Sequence, residues 1–367
     1  MSLRSEFVVL ARAPGANVSE LCCRFGISRK TGYKWLSRET LDDRSRRPAQ
    51  SPRRTQQAME AVLLAARDEF PDWGARKLKR YLQDRGQDGL PAVSTITAIL
   101  RRHGRISPEA TEAAQHWQRF EHPQPNALWQ MDFKGHIALS QGRCHPLTVL
   151  DDHSRFNVVL HACVGETLQD VQGPLEGAFR RYGLPDRISC DNGPPWGTMH
   201  REDRLTRLGV WLIRLGIRLT HARPKHPQTN GKDERFHRTL KAGLLSRRTL
   251  SDQDDAQRAF DRFRTIYNEV RPHQALDLAV PASRYRVSPR AYPEALAPIE
   301  YDPALLLRKV DCDGFISFHR RWVRVSEALK GQTVALQPSP DQEGLHTIYF
   351  CHHPVRTVDL RNPESTD

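Results

Sequence analysis

The sequence predicts a multidomain protein with all-α modules at the N-terminus, a central α/β core with a mixed sheet and a small C-terminal β-barrel. Three patterns predict this class: helical periodicity over the first hundred residues, β-branched runs alternating with helices in the middle, and short alternating segments with glycine and proline at the end. A length of 367 residues suits about two to four domains. The predicted spans are 1–40 (helical module), 41–54 (linker), 55–107 (second helical module), 108–126 (helix and linker), 127–290 (α/β core) and 300–362 (barrel).

The charge of the chain predicts a polyanionic partner. Fifty-six Lys and Arg residues against 43 Asp and Glu residues give a net charge of +13. By segment the net charge is +9 for 1–120, +7 for 121–290 and −3 for 291–367. The basic excess therefore belongs to the helical modules and the core, and the C-terminal segment is acidic.

Several classes of protein are excluded. The seven cysteines are scattered without a CxxC pair, which argues against a disulfide scaffold and a zinc finger. No stretch approaches the roughly 18 apolar residues of a membrane span, and Met1–Leu10 lacks the features of a signal peptide. We expect an intracellular protein without membrane contact.

The first helical module, 18–36, has a helix-turn-helix pattern. A helix is predicted from Ser19, as N-cap, to Phe25; Gly26 ends it and Ser28 caps the next. In such motifs the second helix enters the major groove of DNA. An ordinary helical hairpin with a basic surface is the alternative. The residues expected to face DNA are Arg29, Lys30 and Lys34, and those expected to form the apolar contacts are Leu21, Phe25, Ile27, Tyr33 and Leu36.

A second helix-turn-helix-like module follows between Thr55 and Arg105. Its basic helix begins after Trp73-Gly74, and Ser94 is the expected cap of the helix after it. Arg76 and Lys79 lie off the apolar face of the basic helix, so we predict that they contact DNA. A charged, solvated helix face is the alternative.

From Leu128 the periodicity changes to that of an α/β domain. Three strand-like runs are followed by a helix from Thr167 to Tyr182 and a short strand from Asp186 to Cys190. Strands on both sides of a helix predict a mixed sheet with helical cover. A later helix is predicted over Asp254–Asn268. The strand-like runs read LWQMDFKGHIAL, CHPLTVLDD and FNVVLHACV.

Three acidic residues are placed where a carboxylate would serve chemistry. Asp132 lies between apolar residues of a strand, where an unpaired charge is costly. Asp191 ends a strand before an Asn-Gly turn, and Glu234 lies on a predicted helix. On that helix Asn230, Glu234, Arg238 and Lys241 fall within roughly 80° of one another. Carboxylates from two strands and a helix can converge on hard divalent cations, and two such ions can stabilise an in-line phosphoryl transfer.

Four segments carry a resemblance to a known family: WQMDF, CDNGPPW, HPQTNGKDERFHRTLK and YNEVRPHQAL. They resemble the catalytic core of bacterial insertion-sequence transposases of the DDE superfamily, which are related to retroviral integrases and have an RNase H-like fold. The resemblance covers roughly Leu128–Leu278. It implies that Asp132, Asp191 and Glu234 are the catalytic, metal-binding triad and that two Mg²⁺ ions are the cofactor, with Mn²⁺ as a substitute.

The sequence departs from retroviral integrases in two respects. Forty-two residues separate Asp191 from Glu234, a longer spacing than in those integrases. The additional residues carry a helical stripe of Leu205, Leu208, Leu212 and Leu215, which predicts a helix packed on the core. No His and Cys pairs precede the core, so helix-turn-helix modules replace the zinc-binding domain of retroviral integrases.

Residues near the three acids have structural alternatives. Asp151 and Asp152 lie between two strands, and we expect them to stabilise their turn. Asn192, Gly193, His226 and Asn230 support the active-site loop or contact DNA, or else form turns and caps. Lys225, Arg238 and Lys241 are expected to touch phosphates near the scissile bond, with plain surface charge as the alternative.

The resemblance implies a DNA transposase that binds the ends of its mobile element and joins them to target DNA. Its partners would be double-stranded terminal repeats and target DNA, as a homodimer or higher oligomer, and its location the bacterial cytoplasm at the nucleoid. The alternatives are a helix-turn-helix regulator with a degenerate core and an RNase H-like nuclease without joining activity. The acidic barrel is expected to contact protein more than DNA.

Overall fold

The computed structural model describes residues 2–43, 54–106, 121–197, 205–221 and 231–361. The chain folds as two compact units, Met1–Gln56 and Gln57–Asp367. In the described ranges no helix has the length and apolar character needed to cross a membrane. The predicted helix within 108–120 lies outside the described residues.

The first unit is a three-helix module. Its helices are α1 (Leu3–Ala11), α2 (Val18–Arg24) and α3 (Arg29–Leu36). Gly32 of α3 packs closely against Phe7 and Cys22, since a Cβ at this position would lie 2.6 Å from Cys22 Sγ. The predicted turn is confirmed: Gly26 has a left-handed φ of +64°, and Ser28 Oγ accepts the Thr31 amide at 3.2 Å.

Two details of that module were predicted wrongly. Asn17, and not Ser19, caps α2, because its Oδ1 accepts the amides of Ser19 and Glu20. Tyr33 is 59% exposed instead of belonging to the apolar core. Trp35 takes the core position and packs edge-on to Phe7.

A second group of helices opens the larger unit: α4 (Gln57–Glu69), α5 (Ala75–Gln83) and α6 (Val93–Arg102). Trp73, 1% exposed, stacks on Phe70 at 4.0 Å and anchors their core. Ala92 is the residue at the N-cap of α6, so the prediction of Ser94 was wrong. Asp72 ties the group to the α/β core by accepting Arg247 at 3.1 Å and Arg271 at 2.5 Å.

The α/β core is built on a mixed sheet. Its strands are β1 (Trp129–Phe133), β2 (Ile137–Ala138), β3 (Arg143–Asp151), β4 (Asn157–Cys163), β5 (Arg187–Cys190) and β6 (Arg218–His221). The path runs β2-β3-β1-β5-β6, and β4 also pairs with β3. The β3 pairs are antiparallel, and β1-β5 and β5-β6 are parallel. The predicted mixed sheet is confirmed.

Helix α7 (Leu168–Tyr182) covers one part of the sheet. Its predicted capping residue is confirmed, since Thr167 and Asp170 form a reciprocal capping box. The helix ends at Gly183, whose φ is +74° and whose missing side chain lets the Ser288 and Arg290 carbonyls approach. A Cβ there would lie 2.7 Å from Ser288 O.

Helix α8 (Arg207–Arg214) is the helix expected in the long spacing between Asp191 and Glu234. Leu208 and Leu212 pack into the core of the sheet, as predicted. Leu205 and Ile213 pack instead into the apolar cluster of the C-terminal domain. The helix therefore belongs to two hydrophobic cores, which the leucine stripe alone did not reveal.

The last core helices are α9 (Gly231–Leu240), α10 (Gln253–Thr265) and the short α11 (Pro281–Arg284). Phe236 and Leu240 of α9 are buried with Phe260 of α10 and Tyr267, on the β3–β4 side of the sheet. Five-residue π-helical turns continue α9 from Lys241 and α10 from Ile266.

The C-terminal domain is rich in sheet. Its strands are β7 (Leu306–Lys309), β8 (Phe315–Phe318), β9 (Arg321–Arg324), β10 (Thr333–Pro338), β11 (Leu345–Phe350) and β12 (His353–Asp359). Strands β12-β11-β10-β7 form one antiparallel sheet, and β8 pairs with β9. No strand pairing in the described part of the chain closes these into one sheet, so the predicted barrel is not confirmed.

The seven cysteines are free thiols. Cys144, Cys163 and Cys190 are buried in the α/β core and Cys22 in the first unit, whereas Cys23 and Cys312 are exposed. Burial raises the pKa of Cys144 and of Cys163 to about 12. The four buried cysteines act as small apolar residues.

Candidate active site

Two of the predicted acids meet at one edge of the sheet. Strands β1 and β5 are parallel neighbours, with Trp129 opposite Ile188 and Gln130 opposite Ser189. Continuing this register by two residues sets Asp132 beside Asp191. Adjacent strands lie about 4.8 Å apart, so the two side chains begin from neighbouring backbone positions.

Aromatic and histidine contacts hold the loop that follows Asp191. Trp196, 3% exposed, stacks on Phe133 at 5.3 Å between ring centroids. His221, at the end of β6, donates from Nδ1 to the Asp191 carbonyl at 3.0 Å. The sequence pattern does not single out His221, because its role depends on the pairing of β5 with β6.

The pKa of the Asp132 carboxyl reflects its burial and the other acidic residues nearby. Burial raises its pKa to about 7, and the charges of Asp191, Glu166 and Glu234 add to the rise. The Phe133 amide acts in the opposite direction. Glu166 was not among the predicted residues; it lies before α7 and contacts His145 at 2.8 Å.

Helix α9 presents two neighbouring acids differently. Glu234 is exposed, on the first turn, and contributes the smallest of the three carboxylate effects on Asp132. Asp233 is 1% exposed, and burial raises its pKa well above the ordinary range, with further contributions from Asp132, Asp152 and Asp191. Burial of Asp233 therefore favours its neutral form, whereas the Glu234 side chain is exposed to solvent.

These residues fit a hard divalent cation in their chemistry. Asp132 and Asp191 offer oxygen ligands, and the pKa of Asp132 shows negative charge that a bound cation would relieve. Within the described ranges no three His, Cys, Asp or Glu side chains are grouped closely enough to hold a metal ion. Glu234, exposed on the first turn of α9, is not part of such a group in the described residues.

The competing acids Asp151 and Asp152 have structural partners, as expected. Asp151 accepts the amides of Ser154 and Asn126, each at 2.7 Å. Asp152 accepts the amide of His122 at 2.8 Å and Gln130 Nε2 at 3.0 Å. Both are buried between β3 and β4.

The predicted DNA contacts lie on three helices. Arg29, Lys30 and Lys34 are exposed on α3, Arg76 is exposed and Lys79 half-buried on α5, and Arg238 is exposed on α9 with Lys241 directly after it. Asn192 is exposed and Gly193 half-buried in the loop after β5. Lys225, His226 and Asn230 lie outside the described residues.

Family models match five stretches of the chain. Two integrase core domain models match residues 122–227 and 215–281. Both matches fall on the α/β core, which is thus similar to integrase core domains. A helix-turn-helix domain matches 6–49, a homeodomain-like domain matches 31–100, and the C-terminal domain of IS481 family transposases matches 306–366. The matches support the predicted resemblance to insertion-sequence transposases with an integrase-like core.

Several known proteins are similar to parts of this chain. An uncharacterised protein of insertion element IS407 from Burkholderia multivorans is 30% identical over 47% of this chain and 60% of its own length. One of insertion element IS476 from Xanthomonas euvesicatoria is 27% identical over 43% and 44%. The chain thus spans about half the length of these relatives. A chain of the simian T-cell lymphotropic virus intasome in complex with a PP2A regulatory subunit is 17% identical with a TM-score of 0.38, over 81% of this chain and 99% of that one.

Proposed function

We propose that the chain is a DNA transposase that binds the ends of a mobile element and catalyses metal-dependent phosphodiester hydrolysis and strand transfer. The observation that carries the proposal is the register of β1 with β5, which sets Asp132 beside Asp191 in an integrase core. Helix-turn-helix domains on the same chain support DNA binding.

In this proposal Asp132, Asp191 and Glu234 bind two Mg²⁺ ions, for which Mn²⁺ can substitute. When bound, Mg²⁺ would activate water and stabilise charge on the phosphate oxygens. The carboxylates act as ligands and not as nucleophiles, so no covalent protein–DNA intermediate forms. Hydrolysis of one phosphodiester leaves a 3′-OH, which then replaces the leaving oxygen of a second phosphodiester in the target.

The basic residues divide between end recognition and the scissile strand. Arg29, Lys30 and Lys34 on α3, with Arg76 and Lys79 on α5, would hold the terminal repeat. Lys225, Arg238 and Lys241 would contact phosphates near the cut, and Asn192, Gly193, His226 and Asn230 would shape the loops around it.

The remaining assignments follow from synapsis. Joining two element ends requires at least a dimer, so we propose a homodimer or higher oligomer on DNA, at the nucleoid in the bacterial cytoplasm. Functional domains would span 1–40, 55–107, 127–290 and 300–362. The C-terminal domain, proposed as a small barrel, would contact protein, and its exposed Leu306, Leu307 and Trp322 offer apolar surface for this.

Glu234→Gln and Asp233→Asn test the triad as a matched pair. Glu234→Gln would remove a proposed metal ligand, so we expect cleavage and joining to be lost while binding of duplex DNA from the element ends is retained. Asp233 is buried, and burial favours the neutral form that Asn mimics, so Asp233→Asn should stay active. Cleavage is measured with fluorescently labelled oligonucleotide substrates, and DNA binding is measured by fluorescence anisotropy. An active Glu234→Gln, or activity in EDTA, contradicts the mechanism.

The alternatives give different products in one assay. A duplex of the element end with a recessed 3′ terminus is incubated with plasmid and Mg²⁺. A transposase yields joined product, a nuclease without joining activity yields only cut strands, and a regulator yields neither. Joined product that persists without the helix-turn-helix residues would contradict their role in end recognition.

A further inference from the structure

We infer that two polar bridges, one from Thr148 of strand β3 and one from Asp152 directly after it, hold helix α9 in register with β1 and thereby position Glu234 relative to Asp132. The inference rests on the proposed function for its catalytic consequence. The Thr148 bridge links Asp132 to His237, and the Asp152 bridge links Gln130 to Lys232. The two helix residues lie on either side of Glu234 in the sequence, two positions before it and three after it.

The Thr148 bridge starts directly beside a proposed metal ligand. Thr148 is opposite Asp132 in the β1–β3 pairing and is fully buried. Its hydroxyl donates to the Asp132 carbonyl at 2.9 Å, and Oγ1 lies 2.9 Å from His237 Nε2. Because the hydroxyl has one proton, His237 must donate from Nε2.

This assignment fixes the tautomer of His237. With the proton on Nε2, Nδ1 carries the lone pair and lies 4.0 Å from Asp132 Oδ2. The ring is mostly buried, with 12% of its side chain exposed. His237 thus bonds the Thr148 hydroxyl through Nε2 and places Nδ1 near the Asp132 carboxylate. We therefore regard it as a positioning residue.

The Asp152 bridge acts on the other side of Glu234. Asp152 follows β3 directly and is 1% exposed. Its Oδ1 accepts Gln130 Nε2 at 3.0 Å and also receives Lys232 Nζ. Gln130 and Asp132 are two residues apart on β1 and therefore point to the same face of the sheet.

Apolar packing alone does not set the position of α9 along the sheet. Phe236 and Leu240 bury the helix, but hydrophobic contact has little directional preference. Hydrogen bonds depend on distance and angle, so two of them on opposite sides of Glu234 oppose sliding and rotation of the helix. A misplacement of about 1 Å can cost about 10²-fold in rate.

Thr148→Val and Lys232→Met remove one bridge each. We expect amide hydrogen exchange in 231–240 to become about tenfold faster without metal or DNA, and the Mg²⁺ concentration for half-maximal cleavage to rise about threefold, while DNA binding stays unchanged. Thr148→Ser keeps the hydroxyl and should restore both values. Thr239→Val is the control on the same helix, since its hydroxyl bonds the Arg235 carbonyl within α9.

The outcomes separate this inference from the proposed function. Wild-type exchange and Mg²⁺ dependence in both bridge variants would overturn the inference, and so would equal effects from Thr239→Val. If Thr148→Val does not fold, the same two measurements are made on Lys232→Met, which should show the change, and on Thr148→Ser, which should not. If the wild-type protein cleaves no DNA, the proposed function fails, while hydrogen exchange still decides whether the bridges hold α9.

Discussion

Truncation of Ile213 should uncouple the C-terminal domain from the α/β core. Ile213 is 1% exposed and packs from α8 into the apolar cluster of the C-terminal domain. Ile213→Ala removes three buried carbon atoms, and losses of this kind cost about 2–5 kcal/mol of unfolding free energy. Because α8 is held to the core by Leu208 and Leu212, the lost contact lies at the junction of the two cores.

Calorimetry and urea unfolding measure this effect. We expect Ile213→Ala to lower the free energy of unfolding of the C-terminal domain and to separate its transition from that of the core. Arg207→Ala, at an exposed position of the same helix, should change stability by less than about 0.5 kcal/mol. A loss below about 1 kcal/mol for Ile213→Ala, or an effect confined to the core transition, refutes the two-core account of α8.

Three further predictions concern other parts of the larger unit. Asp72→Asn leaves Arg271 buried without its carboxylate and should cost about 2 kcal/mol, seen as earlier melting of residues 57–106. Burial lowers the pKa of His273 to about 3. As the pH falls, the unfolded chain therefore takes up the proton before the folded chain does, and the free energy of unfolding should fall from pH 6.5 toward pH 3. His273→Gln should reduce the slope of that free energy against pH by up to about 1.4 kcal/mol per pH unit in urea titrations. Gly183→Ala adds a methyl group where φ is +74° and Ser288 O would be 2.7 Å away, and should cost about 2 kcal/mol by the same method.

Each of these predictions has a contradicting result. Unchanged melting of residues 57–106 in the Asp72 variant would show that the ion pairs do not hold the helices to the core. An unchanged pH slope after His273→Gln would place the titrating group elsewhere. A stable Gly183→Ala would show that the backbone beside Ser288 relaxes freely.

Local patterns were enough to single out Asp132 and Asp191, whose catalytic role stays a prediction. Asp132 was identified because a carboxylate interrupts an apolar strand, and Asp191 because it ends one; their meeting follows from strand order, which the structure supplies. The capping residues Thr167 and Ser28 were also predicted, since caps depend on a few neighbouring residues.

Long-range contacts were beyond reach of the same patterns. The leucine stripe indicated that α8 is buried, but periodicity cannot tell which partner covers each face, so the role of Ile213 was missed. Lys232 was not singled out, because its partner, Asp152, is eighty positions away in the sequence. His221 has the same explanation, since strand pairing brings it to Asp191.

The buried and exposed free thiols allow local unfolding of each unit to be followed by thiol labelling. Cys23 and Cys312 are exposed and would react with a maleimide at once, whereas Cys144, Cys163 and Cys190 are shielded by the α/β core and Cys22 by the first unit. A thiolate is the reactive form, and the raised pKa of the core thiols slows their reaction further. Alkylation followed by peptide mass spectrometry would therefore time the opening of each unit separately, without an added label.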